Sequence, residues 1–552
     1  MDENFLNLVS RPGRYIGREV NAVRKNWSAC PVRMALCFPE TYELGMSNLG
    51  IRILYDIVNS HNRCLAERVF APDLDMETIL RREGRLLATL ESDRPLCEFD
   101  LIGVNLAAEL SYINLITILE LGGIPVLAAE RKERDPIILA GGNGAFTPEP
   151  MADFIDAFFI GEAEDMILKI LETLEALRGF SRADKLAGLS ELPGIYIPAF
   201  YRPAYDRTGV YQGLHPQKEG LPSGIRKVSA ADFADAPFPE KWLVPYLSVV
   251  HDRIGVEIMR GCVHRCKFCQ ARVIYGPCRV RPPEKIRRIV EQAVKNSGYE
   301  EISLLSLSTG DYPRLAFLVE QLTDFCRSGN VRISFPSLRA DTLSLETARG
   351  RAGLKQAALT FAPETSERLR LELDKPIRDR DLFEQAETAR KSGWRRMKLY
   401  FMLGLPGETD QDLAEIVRLV RELSRILQLN VSFNTFIPKP HTPLERYGMA
   451  EKNVIAEKKE FLQKGLRSNR YLAVNFHPYE QSFLEAVICR ADRRLAPAIL
   501  GAWKMGARFA GWPEHFHFSV WESALAEHEI DPGHFLGPKT AEAVLPWSHI
   551  MV

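Results

Sequence analysis

The 552-residue chain has almost no excess charge, since 71 lysines and arginines stand against 72 aspartates and glutamates. No window concentrates one sign, which excludes an isolated basic nucleic-acid arm or a polybasic membrane anchor. Short groups such as Arg395, Arg396, Lys398 and Arg490, Arg493, Arg494 read as solvated faces and leave an RNA partner open. Long hydrophobic runs are missing too. The most apolar region, 101–129, is broken by Glu109, Glu120 and paired glycines, and falls short of the ~18 unbroken apolar residues of a membrane span. Residues 1–14 lack a basic stretch followed by an apolar one, so we expect no secretory leader, no membrane partner and a cytoplasmic protein. Cysteine is scarce, with ten residues of which three fall within eight positions. That distribution speaks for a metal site in a reducing compartment and against a disulfide framework.

What is present is enough apolar material, 46% of residues, to build several cores in a chain too long for one. Short apolar runs at 32–38, 101–106, 124–127, 136–140 and 157–160 alternate with helical spacing at 50–59 and 112–121, which predicts a doubly wound parallel α/β domain over residues 1–180. Its ligand should sit at the carboxyl ends of the strands. Prolines and tyrosines interrupt periodicity over 181–245, read as a connector with a small hairpin. A second series of strands is expected at 254–259, 302–307, 331–335, 356–361, 396–402 and 430–436. Helices are expected between them at 282–297, 313–327, 382–392 and 411–427. Six such units make an open, partial (β/α)6 barrel over 246–450. Residues 451–552 read as a helical region, through 480–506 and 513–529.

The chemistry is concentrated in Gly261-Cys262-Val263-His264-Arg265-Cys266-Lys267-Phe268-Cys269, directly after the first strand of the second series. Soft thiolates favour iron-sulfur clusters or zinc. A cubane held by three protein thiolates leaves its fourth iron free for a substrate atom. The competing reading is a structural zinc site, which needs a fourth ligand such as Cys278 or His264.

Cys-x3-Cys-x2-Cys at the end of a first barrel strand resembles the signature of the radical S-adenosylmethionine superfamily. The resemblance implies a [4Fe-4S] cluster on Cys262, Cys266 and Cys269. Its open iron is chelated by S-adenosylmethionine, which one electron cleaves to a 5'-deoxyadenosyl radical. Further segments match the places where that family contacts its cofactor. Ser308, Gly310 and Asp311 lie in Ser306-Leu307-Ser308-Thr309-Gly310-Asp311 after the second strand. Ser337 and Arg339 follow the third, Glu364 the fourth, and Gly404 the fifth. Phe268 resembles the family's aromatic near adenine. The segment Phe436-Ile437-Pro438-Lys439-Pro440-His441-Thr442-Pro443 resembles one shared with methylthiotransferases and cobalamin-dependent members.

An α/β domain ahead of such a barrel resembles the cobalamin-binding, Rossmann-like architecture of the superfamily's methyltransferases. Where cobalt-ligating domains carry Asp-x-His-x-x-Gly, this chain aligns as Glu40-x-Tyr42-x-x-Gly45, without the histidine. Tyr42, Gly45, Ser111, Gly141 and Gly142 are the implied cobalamin contacts. Glu162 and Glu164 read as acids opening a helix. Cys30, Cys37, Cys64, Cys97, Cys326 and Cys489 are scattered, with no second cluster of the kind that sulfur-inserting enzymes need. Taken together, the resemblance implies a radical enzyme that methylates an unactivated carbon with cobalamin, drawing electrons from a reductant such as flavodoxin or ferredoxin. The substrate is RNA, a protein side chain or a small molecule, and no catalytic side chain is assigned. The alternatives are radical modification or rearrangement without methyl transfer, and a cluster-containing binding factor without turnover.

Overall fold

The computed structural model describes residues 3–334, 359–467 and 470–552. Its N-terminal part is a six-stranded sheet of β1 (Val32–Phe38), β2 (Cys64–Phe70), β3 (Leu101–Asn105), β4 (Ile137–Gly141), β5 (Ala157–Phe159) and β6 (Ile195–Tyr196), in the order β2-β1-β3-β4-β5-β6. All pairs are parallel except β5 with β6. The almost unbroken apolar run of β1 is what a strand covered on both faces requires. Helices α1 (Leu49–Ser60), α2 (Tyr112–Leu121) and α3 (Ile167–Ala176) supply cover. The Asn48 side chain accepts from the Ile51 N–H (3.0 Å) and starts α1 at the carboxyl end of β1.

One expectation fails in this sheet, and one of its strands was not expected. The 124–127 run forms no strand, because Pro125 cannot donate to a ladder and the carbonyls of Pro125 and Val126 instead accept from Arg131. Strand β2 was not legible because Glu67 and Arg68 occupy its centre. Both are buried, with Arg68 held by Glu19 (2.9 Å) and Glu91 (2.7 Å).

A small antiparallel hairpin, β7 (Tyr201–Tyr205) with β8 (Tyr211–Pro216), leads to the second series. There, β9 (Ile254–Glu257), β10 (Glu301–Leu305) and β11 (Arg332–Ser334) form one parallel sheet. β12 (Leu359–Glu364), β13 (Arg396–Leu403), β14 (Gln428–Thr435) and β15 (Leu472–Phe476) form another. Helices α4 (Pro283–Ser297), α5 (Leu315–Ser328), α6 (Asp379–Lys391), α7 (Asp410–Leu423) and α8 (Lys452–Gly465) alternate with them. The strand expected at 356–361 is described from Leu359 on. β15 is a seventh parallel strand, paired with β14 from Leu429↔Leu472 to Phe433↔Phe476, where only helix was expected. Its five residues are half exposed, too short and too mixed to stand out between helices.

The C-terminal helices α9 (Tyr479–Arg490), α10 (Ala496–Lys504) and α11 (Phe518–Glu527) join a core that also contains the N-terminal sheet, β9 and β10. Arg490 on α9 donates to the carbonyls of Phe535 (2.9 Å), Pro438 (2.6 Å) and Glu445 (2.8 Å), and Arg493 pairs with Glu149 (3.3 Å). Arg490 and Arg493 therefore tie segments together and do not form the solvated face expected of them. The second sheet has its own core with α6, α7 and α8. Among the described residues no helix is long and apolar enough to cross a membrane.

Candidate active site

The cysteine loop leaves β9 through a two-residue ribbon, Met259–Arg260 paired with Arg279–Val280. All ten cysteines are thiols; Cys266 is buried, and Cys262 and Cys269 are half-buried. Neighbouring residues pin the loop. The Lys267 N–H donates to the Leu373 carbonyl (3.0 Å) and its Nζ to the Glu372 carbonyl (2.7 Å). Phe268 packs on a small apolar cluster of Leu369, Leu373, Leu405, Phe436 and Leu444, with Lys375 Nζ 5.5 Å from its ring centre.

His264, between the first two cysteines, pairs through Nε2 with Asp311 Oδ2 (2.8 Å), and the buried Ser308 hydroxyl donates to the same oxygen. This clasp joins the cysteine loop to the turn after β10, where Gly310 lies in the single 3-10 turn Thr309–Asp311. Glu364, at the end of β12 with φ 71°, is paired with Lys375 (2.6 Å). The Gly404 N–H donates to Glu408 Oε2 (2.8 Å), and Lys458 pairs with that carboxylate (2.7 Å). Phe268, Ser308, Gly310, Asp311, Glu364 and Gly404 thus all sit on the cysteine loop or on the strand-end segments of the second series. Ser337 and Arg339 lie outside the described residues.

Among the described residues no three His, Cys, Asp or Glu side chains already stand together as a metal cage. The donor set in the loop still fits an iron-sulfur cluster with an open iron. Three soft thiols share eight positions, and His264 is engaged with Asp311. Cys278, which feels the charge of Cys262, has its thiol pushed up by burial.

A cavity of about 500 Å³ opens at the carboxyl ends of β1, β3 and β4 and continues to the start of the cysteine loop. Its inner end is apolar, with Met34 and Leu36 of β1, Ile53 and Leu54 of α1, and Ile167 and Ile170 of α3. Its rim is polar, with Asn48, Asn105 and Asn143, and its far wall is Gly261, Tyr275 and 305–307. The Tyr275 hydroxyl donates to Asn143 Oδ1 (2.5 Å) across the boundary. Strand order reverses between β1 and β3, the place where doubly wound sheets bind ligands. Gly141 lines the cavity with only the Phe159 carbonyl oxygen near its missing Cβ (3.9 Å). Gly142 needs its φ of 86°, and a Cβ there would stand 2.5 Å from Asn105 Oδ1. The lining suits a ligand with both apolar and polar parts, and no histidine lines the cavity among the described residues.

Tyr42, Gly45 and Ser111 are not among the residues that line this cavity. The Tyr42 hydroxyl donates to Glu19 Oε1 (3.0 Å) within the Arg68 network. Gly45 packs on the Phe70 ring, 2.1 Å from the position of a Cβ. The Ser111 hydroxyl donates to the Ala108 carbonyl (2.6 Å).

Glu162 and Glu164 also read differently in three dimensions. Helix α3 starts only at Ile167, so neither acid is in its first turn. Both reach Arg260 beside the cysteine loop, Glu162 at 3.2 Å and Glu164 at 2.6 Å. Glu162 also pairs with Arg279. These groups are nearly buried, and the guanidiniums of Arg260 and Arg279 lie over the Phe233 ring. Spacing along the chain carries no signal for such a clamp.

The family model for radical SAM proteins, N-terminal, matches residues 50–198, and that for the radical SAM superfamily matches 256–420. Together they span more than half of the chain, which belongs to the radical S-adenosylmethionine superfamily. Within it, the chain is 29% identical to an uncharacterized protein of Methanocaldococcus jannaschii over 84% of this chain and 89% of that one. It is also 29% identical to the ribosomal protein uS12 methylthiotransferase of Desulfotalea psychrophila, over 35% of this chain and 45% of that enzyme. Its fold is similar to that of the radical S-adenosylmethionine methyltransferase TsrM from Kitasatospora setae, solved with cobalamin and a [4Fe-4S] cluster bound. The TM-score is 0.50 at 12% identity, over 93% of this chain and 92% of that one.

Proposed function

We propose that this radical SAM protein is a cobalamin-dependent methyltransferase acting on an unactivated carbon. The observation that carries the reading is the shared cavity: the carboxyl ends of β1, β3 and β4 and the start of the cysteine loop open into one space. In this reading Cys262, Cys266 and Cys269 hold a [4Fe-4S] cluster, and the long cavity holds cobalamin with its tail between α1, α3 and the sheet. Bound there, the cluster supplies the electron that cleaves S-adenosylmethionine, and cobalamin supplies a methyl carrier.

The chain's own residues provide orientation. His264 and Ser308 fix the Asp311 carboxylate on the rim of the cysteine loop, where it can receive the methionine amino group. Phe268, held by apolar packing, would stand against adenine. Gly141 and Gly142 leave room for the corrin edge, and Arg260 with Glu162 and Glu164 holds the two halves of the site at a set distance. Among the described residues no histidine on the cavity wall would be available to hold the cobalt. The electrons come from a small reductant such as flavodoxin or ferredoxin.

The test is anaerobic reconstitution of protein produced with cobalamin, followed by iron, sulfide and cobalt analysis and reaction with S-adenosylmethionine and dithionite. The reading predicts an intact cluster, bound cobalamin, and release of both 5'-deoxyadenosine and S-adenosylhomocysteine. An intact cluster without cobalt, releasing 5'-deoxyadenosine alone, would leave radical chemistry without methyl transfer. A colourless protein with one zinc would refute the cluster itself.

A further inference from the structure

The face of the β12–β15 sheet opposite α6 and α7 is unlike the filled interior of a closed (β/α) barrel. Leu399, Phe401, Val431 and Phe433 point to the helices and form the core. Alternate residues point the other way, and along β13 these are Arg396, Lys398 and Tyr400, all exposed. Beside them in register stand Gln428, Asn430 and Ser432 of β14, and Asn475 of β15 pairs with Ser432. The face is therefore polar and open where barrel strands ordinarily bury branched apolar side chains.

Its charge is of one sign. Glu364 is paired with Lys375, whereas no carboxylate among the described residues pairs with Arg396 or Lys398. The outer helices show the opposite habit. Arg390 pairs with Glu387, and Arg418 pairs with Asp379 and Glu422. An ordinary solvated face would carry mixed, paired charges like those helices.

We propose that this inner face is a docking track for single-stranded RNA. Arg396 and Lys398, about 6.6 Å apart along the strand, would hold successive phosphates. Tyr400 would stack on a base, and the Asn, Ser and Gln side chains would meet base edges. Met402 and the Gly404 turn lie at the other end of the same strand, ~20 Å from Arg396, so a bound strand would lead into the candidate active site. The inference names the substrate class and rests on the methyltransferase reading for what happens there. The track itself stands or falls separately, because binding needs neither reductant nor S-adenosylmethionine.

The experiment measures fluorescence anisotropy of a short labelled single-stranded RNA of mixed sequence with full-length oxidised protein. A polyglutamate peptide of equal length and duplex RNA serve as comparison probes. We expect the single-stranded RNA to bind best, and Arg396→Glu with Lys398→Glu to weaken it at least tenfold. The same pair of changes should flatten the slope of log K against log salt by about 1.4, for two phosphates. Tyr400→Ala should weaken binding about fivefold or more, and Arg390→Glu on the outer face of α6 should change nothing. Arg396→Gln with Lys398→Gln, checked by circular dichroism, repeats the test without charge reversal. Unchanged binding in the folded variants, polyglutamate or duplex binding as tightly, or no RNA binding at the ~100 µM of weak non-specific contacts would each overturn the proposal.

Discussion

Burial alone would push the Asp412 carboxyl up, but hydrogen bonds from Arg368, Ser366 and Thr409 outweigh it and bring it down to about 2. A carboxylate depressed in the folded state stabilises above its unfolded value, and that stability is lost as pH falls through about 2. Asp412→Asn should therefore lower the unfolding free energy by about 2 kcal/mol at neutral pH, and the gap to the parent should close in strong acid, as urea titrations across pH would register. The cysteines give a second prediction at this scale. Cys262→Ser should leave the fold intact by circular dichroism, since the residue is only half-buried, yet lose most of the iron retained after desalting. Iron retention equal to the parent's would remove Cys262 from the ligand set. The three cysteines were legible because they are close in the chain, whereas the box of Thr409 and Asp412 at the start of α7 was not read from it. The partner of Tyr42, Glu19, arrives from a separate segment and could not be read from the chain.

At the scale of elements, the clamp between the turn before α3 and the start of the cysteine loop bears most directly on the site. Arg260→Ala strands Glu164 and leaves Glu162 with Arg279 and the Ala230 N–H. Removing one partner of a buried pair costs about 3–5 kcal/mol, so the variant should melt well below the parent and expose the cysteine loop to protease. Glu162→Gln should be milder, because Arg260 keeps Glu164 and Glu257. A melting point for Arg260→Ala within a degree or so of the parent's would show the clamp to be idle. Elements were legible where their period was clean. The parallel strands from β9 to β14 and the helices α4 to α7 all lie near their expected places. Strand β2 hid behind its buried ion pairs, and β15 behind its length.

Across the whole molecule, the cavity joins parts of the chain that lie more than 200 positions apart, from Met34 to Leu307. Gly141→Leu places a side chain in that space without an initial backbone clash. It should weaken cobalamin retention at least tenfold, read by cobalt content after gel filtration, while iron and sulfide stay at parent levels. Equal loss of cobalt and iron would point instead to general unfolding. The superfamily, the parallel α/β architecture and the thiol loop could be read from the chain directly, because a three-cysteine spacing and the periodicity of strands and helices are local properties. The long cavity, the clasp of His264 on Asp311, the clamp on Arg260 and the open cationic face of β13 could not. Each depends on which segments pack side by side, and that is settled by burial of apolar faces over the whole chain rather than by the order of residues along it.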